Sequence, residues 1–133
     1  MEKTYHGSCH CGAVRFEAEL DLAVGTLRCN CSICRKARFW PALVKPEKFR
    51  LTTGADELVK YQFGAKRDEH FVCRQCGIRP FGTGKSPRWG PFYAVSVTCL
   101  DDASDAELAA APITYLDGRA DNWDAPPAVT CYL

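Results

Sequence analysis

The sequence predicts a mainly β, antiparallel single domain that is organised around bound metal and carries one short helix. Three observations lead to that class. Apolar and polar residues alternate with period two in several short runs, as they do in half-buried strands. Ten glycines and eight prolines punctuate the chain, so the runs stay short. Of nine cysteines, seven fall in three tight clusters: Cys9 and Cys11, then Cys29, Cys31 and Cys34, then Cys73 and Cys76.

Taken in order, the first run is Ala13 to Leu20, where Val14, Phe16, Ala18 and Leu20 alternate with Arg15, Glu17 and Glu19. Residues 48–52 and 58–63 flank Thr53-Gly54-Ala55-Asp56, which reads as a hairpin turn. His70-Phe71-Val72 is a strand leading into Cys73. Phe92 to Leu100 is a β-branched and aromatic run with Tyr93, Val95, Val97 and Cys99 on one side. The single helix begins at Ser104, where Glu107 completes a capping box, and Pro112 marks its end. Asp117-Gly118-Arg119 reads as a turn, and residues 119–133 form a proline-containing tail.

At 133 residues the chain fits one domain of the usual size, about 150 residues, and can bury a real core. Apolar residues at 47% and charged residues at 25% exclude a disordered or collagenous chain. The formal charge of +1 gives no global field for nucleic acid or an acidic membrane. The neutral total hides two blocks: residues 28–50 hold seven bases and one acid, and residues 100–124 hold seven acids and one base. Such blocks either face solvent or face each other. No apolar stretch resembles a signal peptide or a membrane span, which places the expected protein, soluble, in the cytoplasm.

An odd cysteine count without a secretory signal argues against a disulfide framework and for metal. Structural zinc takes four thiolate or imidazole ligands in a tetrahedron. Cys73-Arg74-Gln75-Cys76-Gly77 is a knuckle whose two-residue spacer lets both sulfurs converge. Cys9-His10-Cys11-Gly12 supplies a second pair, with same-face i and i+2 residues of a strand as the means of convergence. Together Cys9, Cys11, Cys73 and Cys76 make a closed structural zinc site.

Cys29-Asn30-Cys31-Ser32-Ile33-Cys34 differs in kind, with three thiols and no fourth partner alongside. Three uses fit: a metal with one position open to substrate, a metal closed by Cys99, Cys131 or a histidine, and a redox-active Cys-x-x-Cys pair. Arg28, Arg35, Lys36 and Arg38 lie beside the cluster and could offset its negative charge. Arg35, Lys36 and Arg38 are also candidates to hold a small anionic substrate, with Phe39 and Trp40 as pocket walls. Cys99 reads as core. His6, His10 and His70 are acid–base candidates only because the chain has no other histidine.

These residues resemble a known family. Gly7-Ser8-Cys9-His10-Cys11-Gly12-Ala13-Val14-Arg15-Phe16, Cys29-Asn30-Cys31-Ser32-Ile33-Cys34-Arg35-Lys36 and Phe71-Val72-Cys73-Arg74-Gln75-Cys76-Gly77 are similar to the glutathione-dependent formaldehyde-activating (GFA) and centromere protein V domain. The likeness runs from about Thr4 to Gly118 and includes Val97-Thr98-Cys99-Leu100-Asp101. It implies a zinc-ribbon-like β-tent with two zinc ions per chain, the structural one on Cys9, Cys11, Cys73 and Cys76 and the catalytic one on Cys29, Cys31 and Cys34. It also implies a carbon–sulfur lyase activity on a small thiol adduct, S-hydroxymethylglutathione in the family's named reaction. Where a small or glycine-containing stretch is expected after Cys34, this chain has Ala37-Arg38-Phe39-Trp40-Pro41. The competing expectation is a non-catalytic, zinc-stabilised binding module for nucleic acid or protein, as in the centromere branch of the family.

Overall fold

Two antiparallel sheets and one small parallel pair carry the chain. The computed structural model describes residues 1–133. Strands β1 (Lys3–Ser8), β2 (Arg15–Leu20) and β5 (Phe49–Thr53) form a three-stranded sheet in the order β1-β2-β5. Strands β4 (Pro41–Val44), β6 (Leu58–Tyr61), β7 (Glu69–Cys73), β8 (Phe81–Ser86) and β9 (Gly90–Ser96) form a five-stranded sheet in the order β4-β9-β8-β7-β6. Strand β3 (Thr26–Cys29) pairs in parallel with β10 (Ile113–Leu116), a departure from the all-antiparallel expectation. The parallel pairing places Leu116 directly beside Cys29.

In β2 the alternation does what period two requires, since Phe16, Ala18 and Leu20 are buried while Arg15 and Glu19 are exposed. Phe16 stacks on Phe49 at 5.4 Å, and Phe49 in turn packs on Phe81 at 4.6 Å and Tyr93 at 4.3 Å. Those four rings come from both sheets, so the core sits between them. Tyr5, Leu20, Ala42, Val44, Val95 and Val97 are among the other members of the larger buried cluster.

Three expectations need correction. Residues 48–52 and 58–63 are not a hairpin: β5 pairs with β2, whereas β6 pairs with β7. The connector is a 3-10 turn at Ala55–Glu57, and the Glu57 carbonyl accepts from Arg74 N at 2.8 Å. That bond commits the chain after the turn to β7 and the second sheet. A short polar connector looks the same in sequence whether its strands pair or diverge.

The Phe92–Leu100 run stays extended only to Ser96 and then tightens into a 3-10 turn at Val97–Cys99. Ser96 faces Pro41, the first residue of β4, which has no N–H to extend the ladder. Finally, the chain has two short α-helices rather than one. Helix α2 (Asp105–Ala110) carries the expected capping box, with Ser104 Oγ accepting from Glu107 N at 3.1 Å and Glu107 Oε2 accepting from Ser104 N at 2.8 Å. Glu107 also accepts from Tyr5 Oη at 2.6 Å and pairs with Lys3, which docks the helix on β1. Helix α1 (Ser32–Ala37) lies inside the second cysteine cluster and ends at Arg38, whose φ is +52°.

Candidate metal centre and its neighbouring cavity

Cys9, Cys11, Cys73 and Cys76 come together with their sulfurs all within 4.8 Å of one another. Cys9 and Cys11 are 3.6 Å apart and Cys11 and Cys73 are 3.7 Å apart. Sulfurs on a tetrahedral zinc, at about 2.3 Å from the ion, lie about 3.8 Å from each other. The donor set therefore fits a zinc-sized cation.

Two tight turns build this cluster. In the first, Gly12 N donates to the Cys9 carbonyl at 3.3 Å and Cys9 N to the Val14 carbonyl at 3.0 Å. In the second, Gly77 N donates to the Cys73 carbonyl at 2.8 Å and Cys73 N to the Ile78 carbonyl at 2.9 Å. Gly12 and Gly77 have φ of +80° and +79°, a left-handed conformation that glycine adopts without strain. Cys9 and Cys11 thus converge through a turn beyond the end of β1, not as same-face residues of a strand. Backbone N–H groups also point at the sulfurs, with Val14 N 3.3 Å from Cys9 Sγ. Those from Cys11 and Ile78 push the Cys76 thiol down to about 6.

Cys29, Cys31 and Cys34 are set apart from that cluster and line a cavity of about 640 Å³. Cys29 ends β3, Cys31 immediately precedes α1, and Cys34 lies within it. The segment is clamped by Asn30, which is buried between two of the cysteines. Its Nδ2 donates to Asp117 Oδ1 at 2.8 Å, and its Oδ1 accepts from Arg119 N at 3.0 Å. The Asp117-Gly118-Arg119 turn is thereby drawn against the triad. A Cβ on Gly118 would stand 2.6 Å from Cys29 Sγ and 3.1 Å from the Trp123 ring, so only glycine allows this approach.

The three thiols perturb one another. Cys29 and Cys34, followed by the N–H groups of Cys34 and Ile33, hold the Cys31 thiol far below the usual thiol range. Cys34 is pushed up by Cys29 and Cys31 and then by burial, and Cys29 is pushed up chiefly by Cys31. Cys31 is thus the sulfur of the three that gives up its proton most readily.

The basic residues expected to serve this site flank the triad in sequence but do not line the cavity. Arg35, Lys36, Arg38 and Trp40 are outside the lining of the cavity, although Phe39 is part of it. Trp40 turns inward, donating Nε1–H to Thr26 Oγ1 at 2.7 Å with Arg28 over its ring. Arg35 lies over Tyr132 of the tail. The left-handed residue at Arg38 ends α1 and redirects the chain, and beyond it Phe39 and Pro41 join the cavity lining. Cations in the lining come instead from Arg67, Arg79, Lys85 and Arg88. No ion pair joins the basic block 28–50 to the acidic block 100–124, which find other partners or solvent.

His70 and Arg79 are the lining residues that the sequence did not single out for a shared role. His70 is buried, and its Nδ1 is 2.8 Å from Arg79 Nη2. A guanidinium only donates, so Nδ1 accepts and the proton of the neutral ring sits on Nε2. Burial, followed by the Arg79 charge, lowers the His70 pKa and keeps the ring neutral. The available signal for Arg79 was a base within the apolar stretch Ile78 to Phe81. His6 instead bonds Asp102 at 2.9 Å, and His10 is exposed on the first turn. Trp123 of the tail forms part of the wall, held by Arg88 Nη1 donating to its carbonyl at 3.0 Å and packed edge-on against Trp89. No helix is long and apolar enough to cross a membrane.

A family model described as glutathione-dependent formaldehyde-activating enzyme matches residues 4–116. The chain is also similar to a crystal structure of a Rhodobacter sphaeroides protein, with 34% identity and a TM-score of 0.70 over 82% of this chain and 99% of that one. The matched span takes in all three cysteine clusters, the clamp residue Asn30 and both antiparallel sheets. The chain belongs to the glutathione-dependent formaldehyde-activating family.

Proposed function

We propose that the protein is a carbon–sulfur lyase-type enzyme that makes or breaks a small thiol adduct such as S-hydroxymethylglutathione. The observation that carries this reading is the division of the cysteines: four form a closed cluster, while three others line a cavity large enough for a small peptide thiol. In the addition direction the thiol sulfur bonds to the carbonyl carbon of formaldehyde, and the proton leaving sulfur ends on the carbonyl oxygen. Cleavage reverses both transfers, so neither direction needs an oxidant or reductant.

Cys9, Cys11, Cys73 and Cys76 would hold a structural zinc, and Cys29, Cys31 and Cys34 a second one, giving two ions per chain. When bound at the three-cysteine site, zinc would stabilise a substrate thiolate at neutral pH or polarise the aldehyde oxygen. The chain's own groups do the rest. Phe39, Leu116 and Trp123 wall the cavity against water, and the cationic and acidic side chains along it suit a zwitterionic thiol. The chain acts as one domain, 1–133, with residues 119–133 closing one side of the site. Nine free thiols suit the reducing cytoplasm.

The test is metal content and turnover together. Protein purified without chelator is expected to carry two zinc ions. Cys31→Ser should fold, keep one, and lose formation of the thiol adduct. Turnover retained by Cys31→Ser would remove the triad from the reaction. Salt-dependent DNA retention without thiol-dependent turnover would favour a binding module instead.

A further inference from the structure

Arg79 is half-buried, and its guanidinium has no ion-pair partner. Its guanidinium lies 3.8 Å from the centre of the Phe39 ring, and Nη2 is committed to His70. Nε and Nη1 are shut off from solvent and have no hydrogen-bond partner. Every ion pair of the fold uses other residues. An unpaired charge of this kind is costly, and a fold retains it where negative charge is supplied at the site. Cys31, Cys34 and Asp68 line the same cavity as Arg79.

The charge arithmetic favours the cysteines as its partner. Three thiolates around a divalent cation carry a net charge of −1, and one guanidinium brings the assembly to zero. Lys36 and the other bases next to the triad in sequence do not line its cavity, whereas Arg79 does. The position is also rigid: the Arg79 carbonyl is 3.9 Å from Cys99 Sγ, and the adjoining Pro80 carbonyl accepts from Ser96 N at 3.0 Å.

We propose that Arg79 is a positioning residue that supplies the counter-charge to a divalent cation held by Cys29, Cys31 and Cys34. The inference rests on the three-cysteine site being a metal site, as argued above. It assigns the role to a residue far from the triad in sequence and gives the orphaned N–H groups a purpose. It also explains the His70 contact, because a neutral imidazole accepting from Nη2 holds the guanidinium plane in place without competing for its charge.

The test is a zinc competition titration with a chromophoric chelator on the full-length chain. The wild type should yield two zinc ions of distinguishable affinity. Arg79→Gln is expected to weaken one of them about 10- to 100-fold, the range for loss of an outer partner of metal ligands, and to leave the other unchanged. Arg79→Met, which keeps packing on Phe39 and buries no unpaired polar atom, should do the same and serves if the glutamine variant fails to fold. Arg79→Lys, which retains the charge, should recover most of the loss. Unchanged affinities in the charge-free variants, or a lysine variant as weak as they are, would overturn the proposal while leaving the three-cysteine metal site intact. A single zinc in the wild type would overturn that site as well.

Discussion

Removing the Asn30 side chain is the sharpest test of how the triad is held. Asn30→Ala deletes two hydrogen bonds, one to the Asp117 carboxylate at 2.8 Å and one from Arg119 N at 3.0 Å. A bond to a charged acceptor contributes about 1.5–3 kcal/mol and a neutral one about 0.5–1.5 kcal/mol. Asp117 is only partly buried and Arg119 is exposed, so water replaces part of what each loses. The net cost should therefore lie near the lower end, at about 2 kcal/mol. With a urea slope of about 2 kcal/mol/M, the unfolding midpoint should fall by about 1 M.

The assay is urea unfolding in zinc-replete buffer, so that metal loss does not mix with the transition. The exchanged double variant, Asn30→Asp with Asp117→Asn, still sets one amide against one carboxylate and should recover at least half of the loss. Asn30→Asp alone opposes two carboxylates and should not recover. A shift below about 0.3 M for Asn30→Ala, at the scale of a surface substitution, would refute the clamp.

Two further outcomes follow from the same geometry. Cys73→Ser removes a buried ligand of the four-cysteine cluster, where metal-binding free energy is folding free energy; the variant should lose one zinc and its cooperative unfolding transition, read by metal content and near-ultraviolet circular dichroism. Retention of both would exclude a structural metal there. His6 is raised by its bond to Asp102 and, less, by Glu17, so its contribution to stability is complete below its unfolded pKa of about 6.5 and is lost as pH rises through the higher folded value. Thermal melts across that window should show a decline that Asp102→Asn abolishes.

The parts of this fold legible in the sequence are those governed by local rules. Phe16, Ala18 and Leu20 point inward because period two leaves them no other face, and Ser104 with Glu107 caps a helix wherever that spacing meets a helical run. The knuckle at Cys73 and Cys76 was legible for the same reason, since its geometry closes within five residues. Helix α1 was not, because six residues are too few to show helical periodicity and the cysteines before and within it read first as ligands. Pairing was illegible where it is long-range: nothing near Gly54 indicates that β5 and β6 separate into different sheets. The substrate-facing expectation for Arg35, Lys36 and Arg38 rested on nearness along the chain, whereas the cations that line the cavity come from β8 and from the segments flanking β7 and β8.

The two cysteine sites share no ligand, yet the fold makes one depend on the other. Strand β7 ends at Cys73 and carries His70 three residues earlier. The knuckle then fixes Ile78 by the Cys73 N bond, and Arg79 is the next residue. Both members of the His70–Arg79 pair are therefore positioned from the four-cysteine cluster, one on each side of it in sequence. Loosening that cluster would free the ends of the segment that carries them and displace the guanidinium from the triad, although Cys29, Cys31 and Cys34 would remain on α1 and its lead-in. On the proposed role of Arg79, this arrangement would give the four-cysteine site a consequence beyond stability. A chain can retain all three cavity cysteines and still lose the charge environment they need, which is why metal content at each site has to be read separately from turnover.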